Sequence, residues 1–220
     1  MNVEIAEIYG ALLGDGCLSS YFSKYDKRQR YEVSFSGSID DLDYYQTRII
    51  PFFKRNFFLG GTLRFRHDSK ALIYSIKSKR VFDFFTALDF PVGEKENRLK
   101  IPTEIIQNSE YAIACLRGVW NTDGSIYRRY TKIYKSHKKF YNKYFVMELK
   151  MKAKSLLFQI KPFLDSFGVK TSSITKNQNY VLRINSQEAI QRFLSKISFS
   201  NKRHLDRISA FQSKIQSESL

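Results

Sequence analysis

The chain has 220 residues, of which 43% are hydrophobic and 15% aromatic, so it can bury a substantial core and is not expected to be disordered. It carries 37 Lys and Arg residues against 21 Asp and Glu residues, and the formal net charge of +16 favours an anionic partner, nucleic acid first. A membrane-surface protein and a basic protein without a bound polyanion are the alternatives. No apolar run reaches the roughly 18–20 residues that cross a bilayer, and the N-terminus shows no signal-peptide pattern. The two cysteines lack metal-ligand spacing, so we expect a reduced, intracellular protein.

The first half of the chain is predicted to contain seven elements in the order αββαββα. They are a helix over 3–14, strands over 17–25 and 31–37, a helix over 39–53, strands over 62–66 and 71–77, and a helix over 79–90. Ser38 or Asp40 is expected to cap the second helix, and Pro51 is expected to interrupt it. We take residues 1–93 as an N-terminal half-domain.

The second half repeats this plan after a short connector. Residues 94–107 are polar at first and contain Pro102, which predicts a connector to a C-terminal half-domain over 108–220. The predicted elements are a helix over 110–122, strands over 125–135 and 144–151, a helix over 153–167 interrupted by Pro162, strands over 171–176 and 180–185, a helix over 187–197 and another helix from Asn201. The repeat predicts an α+β fold of two pseudo-symmetric half-domains.

One short pattern occurs in both halves at a constant offset. Ile8–Gly16 and Leu116–Gly124 are apolar helical runs that each end in an aspartate followed by a glycine. The separations 118 − 10 and 123 − 15 both equal 108. The shared offset supports an internal duplication, which two unrelated core helices would not explain.

The two motif helices carry matching faces of small residues. Positions spaced by four fall on one side of a helix. The small residues at these positions are Ala6, Gly10 and Gly14 in the first copy and Ala114, Gly118 and Thr122 in the second. A glycine inside a helix costs about 1 kcal/mol relative to alanine, which close packing of a second helix would offset. We therefore predict that the two helices form the interface between the half-domains.

The aspartates that end the motif helices are candidate metal ligands. Asp15 and Asp123 would each lie at a helix C-terminus, where the backbone carbonyls already add partial negative charge. A single Asp-Gly turn between a helix and a strand is the simpler interpretation of either copy. Two such ends brought together would instead offer carboxylate and carbonyl oxygens, which are the hard ligands that Mg²⁺ prefers.

The paired motifs resemble the signature of the LAGLIDADG homing endonucleases, in the form in which one chain carries both copies. The resemblance extends over nearly the whole chain, because the repeated αββαββα order and the connector also fit. It implies a monomer in which the motif helices form the interface and two antiparallel sheets form a saddle over double-stranded DNA. It also implies that Asp15 and Asp123 bind the divalent metals that cleave each DNA strand.

The resemblance extends to the ligands and shows one departure. The backbone carbonyls of Gly14 and Thr122 would add metal ligands, with Mg²⁺ as the cofactor and Mn²⁺ or Ca²⁺ able to replace it for binding. The earlier acidic position of the motif is Leu13 in one copy and Asn121 in the other. Since that position is not the metal ligand, we expect non-equivalent halves rather than a loss of activity.

Basic residues on and beside the predicted strands are candidate DNA contacts. A solvated hairpin tip is the simpler interpretation, but the cluster that follows the second motif is dense, and cations there would contact phosphates or guanine edges. This cluster is Arg128, Arg129, Lys132, Lys135, Lys138, Lys139 and Lys143, interleaved with Tyr127, Tyr130, Tyr134 and Tyr141. The other candidates are Lys24, Lys27, Arg28, Arg30, Arg64, Arg66, Lys77, Lys150, Lys152 and Arg183.

Three lysines are candidates for a role near the chemistry, by analogy with the basic residues around the metal site in the family. Lys95 follows Asp15 by 80 residues and Lys202 follows Asp123 by 79, from 95 − 15 and 202 − 123. Lys150, at the end of a predicted strand, is the third. In a chain this rich in lysine the near-equal spacing can be coincidence.

The remaining residues of interest are the histidines and the single tryptophan. His67, His137 and His204 lack the spacing of a zinc site and are predicted to lie on the surface, whereas Trp120 is predicted to lie in the core.

Together these features predict a monomeric, Mg²⁺-dependent, site-specific DNA endonuclease. By resemblance it would make a staggered double-strand break in a long asymmetric target and be encoded within a mobile intron. An RNA maturase that binds its intron RNA, or a non-cleaving DNA-binding protein on the same fold, is the alternative.

Overall fold

The computed structural model describes residues 1–66, 68–129, 132–139 and 144–217, with side chains up to residue 213. The first half contains α1 (Val3–Asp15), β1 (Gly16–Ser23), β2 (Arg28–Ser38), α2, β3 (Thr62–Arg66), β4 (Ala71–Lys77) and α3 (Lys79–Ala87). Helix α2 is a continuous helical segment in four pieces, a 3-10 turn (Ile39–Asp41), an α turn (Leu42–Tyr44), a π turn (Tyr45–Ile49) and an α-helix (Ile50–Phe57). The predictions for His67, Tyr130, Tyr141 and Lys143 lie outside the described residues.

The second half has the same plan with additions. It contains α4 (Thr103–Gln107), α5 (Ser109–Thr122), β5 (Gly124–Arg128), β6 (Lys132–Ile133), β7 (Lys138–Lys139), β8 (Phe145–Met151), α6 (Lys154–Ser166), β9 (Thr175–Asn177), β10 (Asn179–Ile184), α7 (Gln187–Lys196) and α8 (Lys202–Ser217). Helix α4 lies within the segment predicted to be the connector.

The two main sheets have the same strand order. One is β1-β2-β4-β3 and the other β5-β8-β10-β9, with all neighbours antiparallel. Leu18 pairs with Val33, and Ile126, which is 126 − 18 = 108 residues after Leu18, pairs with Met147. The predicted α+β fold of two pseudo-symmetric halves is confirmed.

The prediction of a single strand over 125–135 is wrong. The chain leaves the main sheet after Arg128, and β6 and β7 form a separate two-stranded ribbon between β5 and β8. The segment between β5 and β8 is longer than the turn between β1 and β2. The residues predicted as one strand therefore form two strands, of which β5 pairs with β8 and β6 pairs with β7.

The prolines do not interrupt their helices as predicted. Pro51 lies in the first turn of the last piece of α2, directly after the π turn, where a missing N–H is tolerated. Pro162 lies inside α6, which continues to Ser166. The Ser38 side chain accepts a hydrogen bond from the Asp40 N–H at the start of α2, as the capping prediction requires.

Helices cover one face of each sheet and leave the other open. In the first sheet Leu18, Val33 and Tyr74 point into the core and are at most 1% exposed. Because side chains alternate along a strand, the residues between them point to the opposite face. The motif helices α1 and α5 lie side by side at the centre, and Trp120 is buried there as predicted.

His204 departs from its prediction. It was expected on the surface, but it is fully buried at the start of α8 and stacks against the ring of Phe199. Burial lowers the pKa of His204 to about 3, so the imidazole is neutral at physiological pH. Within the described residues, no helix combines the length and apolar character needed to cross a membrane.

Candidate functional site

The motif helices approach each other closely at two reciprocal points. A Cβ atom on Gly10 would overlap the carbonyl group of Cys115, and one on Gly118 would overlap the carbonyl group of Glu7. These two contacts are related by the duplication, because 118 − 10 and 115 − 7 both equal 108. Only glycine permits this approach on both sides, so the pair explains why each motif carries one at this position.

The C-terminal ends of the two helices meet at the pseudo-symmetry axis. A Cβ atom on Gly14 would overlap the Thr122 side chain and would lie 3.4 Å from Cγ of Asp123. Asp15 is the last residue of α1 and Asp123 caps the C-terminus of α5. Both aspartates are half-buried. Because Gly14 precedes Asp15 and lies against Asp123, the structure brings the two predicted metal ligands together.

The electrostatics of this pair are unfavourable without a counter-charge. Burial raises the pKa of Asp15 well above its usual value, and the neighbouring carboxylates of Asp123 and Asp41 raise it further. The Lys95 ammonium opposes this shift, and so does a hydrogen bond from Tyr45. Burial also raises the pKa of Asp123 to about 6, again opposed by Lys95.

This donor set fits a divalent cation. Two adjacent carboxylates with raised pKa values would be stabilised as anions by a hard cation, which prefers oxygen ligands. Among the described residues no group of three or more His, Cys, Asp and Glu side chains could hold a metal. Carbonyl groups, water and phosphate oxygens would therefore complete the coordination, as Mg²⁺ commonly allows.

Lys95 reaches this site from the connector. Its ammonium group donates hydrogen bonds to the carbonyl oxygens of Gly14, at 2.5 Å, and Leu13, at 3.2 Å. Burial lowers the pKa of Lys95, while Asp123 and Asp15 raise it. The Gly14 carbonyl, predicted as a metal ligand, thus already accepts a hydrogen bond from a cation.

A cleft of about 290 Å³ opens on this side of the aspartate pair. Lys150, on β8, is exposed and lines the cleft together with Lys95 and Asp123. Lys152 also lines it and pairs with Glu96 at 2.7 Å. Two of the three lysines predicted near the chemistry therefore line the same cleft as Asp123.

Lys202 is not equivalent to Lys95. Its exposed ammonium group pairs with Asp206 on the same helix, at 2.6 Å, and it does not line the cleft. The near-equal spacing of the two lysines from their aspartates does not place them in equivalent positions. We correct that prediction.

A buried polar network occupies the opposite side of the pair. Asn201 donates hydrogen bonds to the carboxylate of Asp41, at 2.6 Å, and to the carbonyl of Asn121, at 2.9 Å. Arg203 pairs with Asp41 at 3.1 Å, and the Asn121 side chain accepts hydrogen bonds from the backbone N–H groups of Ser200 and Asn201. The network connects α2 of the first half to α5 and α8 of the second.

Tyr45 is a site residue that sequence reasoning missed. Its hydroxyl group donates a hydrogen bond to Oδ2 of Asp15 at 3.3 Å, and its side chain is fully buried. The tyrosine lies in the π turn of α2, about thirty positions from the aspartate. No local pattern marks it, since Tyr44 beside it is equally aromatic and equally buried.

The open face of the first sheet carries most of the cations predicted there. The register places Arg30 opposite Tyr21, Lys77 opposite Glu32 and Arg64 opposite Ile73, all on the face that points away from the core. Arg28 and Arg66 share this face, and Lys24 and Lys27 lie in the turn beyond it. These side chains are exposed except Arg30, which is half-buried and pairs with Asp26.

The second half divides its predicted contacts between two faces. Lys150 and Arg183 lie on the open face, where Arg183 pairs with Glu148 at 2.7 Å. Arg128 shares the core-facing side with Ile126, and its guanidinium lies 5.7 Å from the centre of the Phe211 ring. The structure therefore places Arg128 against α8 rather than on the open face.

The ribbon of the second half is basic and exposed. Lys132, Lys135, Lys138 and Lys139 are all exposed on β6, β7 and the turn between them, while Arg129 is half-buried beside the ribbon. His137 stacks on Tyr134 in this turn, with ring centres 4.8 Å apart. An exposed two-stranded basic ribbon has the dimensions and charge to enter a major groove.

The duplicated αββαββα order, with two central helices that end side by side in aspartates, is similar to the fold of solved LAGLIDADG endonucleases. Residues 110–198 match the family model described as a LAGLIDADG-like domain, which includes Asp123 and the whole second sheet. The chain contains this domain and has, over its full length, the fold of the monomeric two-motif LAGLIDADG homing endonucleases. No curated protein matches the sequence.

Solved structures are similar to this chain across both of its halves. The LAGLIDADG meganuclease I-AabMI bound to uncleaved DNA is 13% identical, with a TM-score of 0.65 over 100% of this chain and 92% of the other. I-DmoI in complex with DNA and Ca is 20% identical, with a TM-score of 0.61 over 90% of this chain and 91% of the other. I-DmoI in complex with DNA and Mn is 19% identical, with a TM-score of 0.62 over 90% and 98%. At these identities the likeness establishes the fold.

Proposed function

We propose that this protein is a monomeric, site-specific endonuclease that cuts double-stranded DNA by metal-dependent phosphodiester hydrolysis. The observation that carries the proposal is the meeting of Asp15 and Asp123 at the axis between two sheets with basic open faces. A duplex lying across both sheets would present one phosphate of each strand near the axis. The DNA complexes of I-AabMI and I-DmoI support this assignment.

The chain's own residues have distinct tasks in this reaction. Asp15 and Asp123 would hold the metal, with the Gly14 and Thr122 carbonyls as further candidate ligands. Bound Mg²⁺ would activate water and neutralise the charge that develops on the phosphate, and Mn²⁺ or Ca²⁺ would replace it for binding. The ammonium groups of Lys95 and Lys150 would hold a phosphate oxygen in the cleft.

The reaction balances as a hydrolysis. A water oxygen forms a new bond to phosphorus, one phosphate ester bond breaks, and the leaving oxygen takes up a proton. Asp15 and Asp123 each serve one strand, and a staggered break results when the two phosphates face each other across the minor groove. Half-domains over 1–93 and 108–220, joined by 94–107, would each bind one part of a long asymmetric target.

The gene is proposed to lie within a mobile intron and the protein to act inside the cell. Purified protein with Mg²⁺ should linearise a plasmid that carries the joined exons flanking that intron. Asp15→Asn and Asp123→Asn should abolish double-strand cleavage while leaving DNA binding in Ca²⁺ intact. Normal cutting by the double Asn variant would refute the proposal. Intron RNA splicing without any DNA cleavage would favour the maturase instead.

A further inference from the structure

The two aspartates at the axis are held differently. Oδ2 of Asp15 accepts a hydrogen bond from the Tyr45 hydroxyl group at 3.3 Å. Gly37 lies beside this contact, where a Cβ atom would be 2.8 Å from both Oδ2 of Asp15 and the Tyr45 oxygen. One oxygen of the Asp15 carboxylate is therefore enclosed by the first half of the chain, which leaves the other oxygen for a ligand.

Asp123 has no equivalent anchor. Among the described residues, no side chain donates a hydrogen bond to its carboxylate, and the charged group that lowers its pKa is Lys95. The position 108 residues after Tyr45 is Ala153, and the offset of 111 that relates Pro51 to Pro162 leads to Leu156. Neither side chain can donate a hydrogen bond, so the sequence of the second half lacks an equivalent of the Tyr45 hydroxyl group.

The cations around the pair are also unequal. Lys95 and Lys150 lie in the cleft on one side of the axis, while the opposite side holds the Asp41, Asn201 and Arg203 network. The two strand-cutting sites thus differ both in the group that fixes their aspartate and in the charges that surround it.

We propose that Tyr45 is a positioning residue for Asp15 and that the two strand cuts consequently differ in their dependence on it. This inference rests on the proposed endonuclease function. Without the hydroxyl group the Asp15 carboxylate gains rotational freedom, and the fraction of molecules with its free oxygen directed at the axis falls. The strand served by Asp15 is then cut more slowly, while the strand served by Asp123 is cut at nearly its normal rate.

Tyr45→Phe tests this proposal because it removes only the hydroxyl group. Tyr44→Phe is the matched control, since Tyr44 is adjacent and fully buried, and the hydroxyl group that donates to Asp15 is that of Tyr45 rather than that of Tyr44. The substrate is a target duplex with a different fluorescent label on each strand. Single-turnover rates for both strands are measured with excess protein.

Tyr45→Phe should slow one strand by on the order of tenfold, as expected for loss of a hydrogen bond to a charged group, and the other by less than about twofold. Nicked plasmid should accumulate, and the Mg²⁺ concentration needed for half-maximal cutting should rise. Tyr44→Phe should leave the ratio of the two strand rates unchanged. Equal slowing of both strands by Tyr45→Phe, or the same strand bias in Tyr44→Phe, would overturn the proposal.

The experiment distinguishes failure of the endonuclease function from failure of the positioning role. If wild-type protein cuts neither strand, both the endonuclease function and this proposal are refuted. If wild-type protein cuts both strands and Tyr45→Phe does not change the ratio of the two rates, only the positioning role is refuted. If Tyr45→Phe does not fold, Gly37→Ala tests the same contact from β2, because the added Cβ displaces the Asp15 carboxylate from the Tyr45 hydroxyl group. Gly37→Ala must then show the strand bias, and balanced cutting by it overturns the proposal.

Discussion

The ammonium group of Lys95 lies 2.5 Å from the carbonyl oxygen of Gly14, so the connector between the halves reaches back to the acidic end of the first motif helix. The carboxylates of Asp123 and Asp15 both raise the pKa of Lys95 against the effect of burial. A half-buried cation at this point can stabilise a second anion, such as a scissile phosphate, beside the aspartates.

Lys95→Met should therefore lower the rate of DNA cleavage by on the order of a hundredfold, because methionine keeps the length of the side chain and removes its charge. DNA affinity in Ca²⁺ should change little. Lys100→Met is the matched control, since Lys100 lies on the same connector and pairs with Asp89 at 3.1 Å. Equal rates in the two variants would contradict a role for Lys95 at the site.

The raised pKa of Asp123 predicts a specific pH dependence of stability. Burial raises it from 3.8 to about 6, so within this interval the folded protein binds a proton that the unfolded chain does not. Stability contributed by this group is present at low pH and is lost as pH rises through the folded pKa.

Asp123→Asn should accordingly stabilise the metal-free protein by about 3 kcal/mol at about pH 8 and by about 1 kcal/mol at about pH 4.5. Urea unfolding of both proteins at the two pH values measures this difference. The comparison between variants removes the opposing contribution of His204, which is the same in both. A difference that does not change with pH would contradict the raised pKa.

Metal binding should be visible without DNA. Because a ligand that binds only the folded state stabilises it by mass action, Ca²⁺ at about a hundred times its dissociation constant should add about 2.7 kcal/mol. Thermal unfolding should show the gain in wild-type protein and lose it in the Asp15→Asn, Asp123→Asn double variant. Tyr44→Phe, which keeps both carboxylates, should retain it. Equal stabilisation of the double variant by Ca²⁺ would place the metal elsewhere.

The duplication and the acidic pair were predictable because they rest on residues with few alternatives. Gly10 and Gly118 are required by a backbone contact, and Asp15 and Asp123 follow them at the same distance in each copy. Regular periodicity also defined most of the helices and strands. Contacts that only one or two residue types can make, such as those between the motif helices, can be recognised from the sequence.

Contacts between elements far apart in the sequence could not be recognised in this way. Tyr45 contacts Asp15 from another helix, and nothing in its neighbourhood distinguishes its hydroxyl group from that of Tyr44. His204 was assigned to the surface because it lacks the spacing of a zinc site, yet Phe199 and the buried network enclose it. The sequence also did not predict the face of the sheet on which Arg128 lies, because that face depends on where β5 ends and where α8 packs.

Packing of the motif helices should tolerate no added methyl group. Gly118→Ala places a Cβ against the Glu7 carbonyl and should destabilise the protein by about 2–3 kcal/mol, since two helices must move apart. Gly60→Ala is the matched control, because nothing lies within 4 Å of its Cβ position. Urea unfolding of the two variants provides the measurement, and similar midpoints would show that the helices are less closely packed.

Cations on the open face of the first sheet should bind DNA electrostatically. Arg64 is exposed there on β3, whereas Arg55 is exposed on α2 and pairs with Glu4. If Arg64 contacts a phosphate, Arg64→Ala should lower DNA affinity and reduce the slope of log K against log salt concentration by about one. Arg55→Ala should leave both quantities unchanged, which fluorescence anisotropy at several salt concentrations in Ca²⁺ measures. Equal slopes for wild type and Arg64→Ala would exclude a phosphate contact at this position, and a loss of slope in Arg55→Ala would place DNA on the helical face instead.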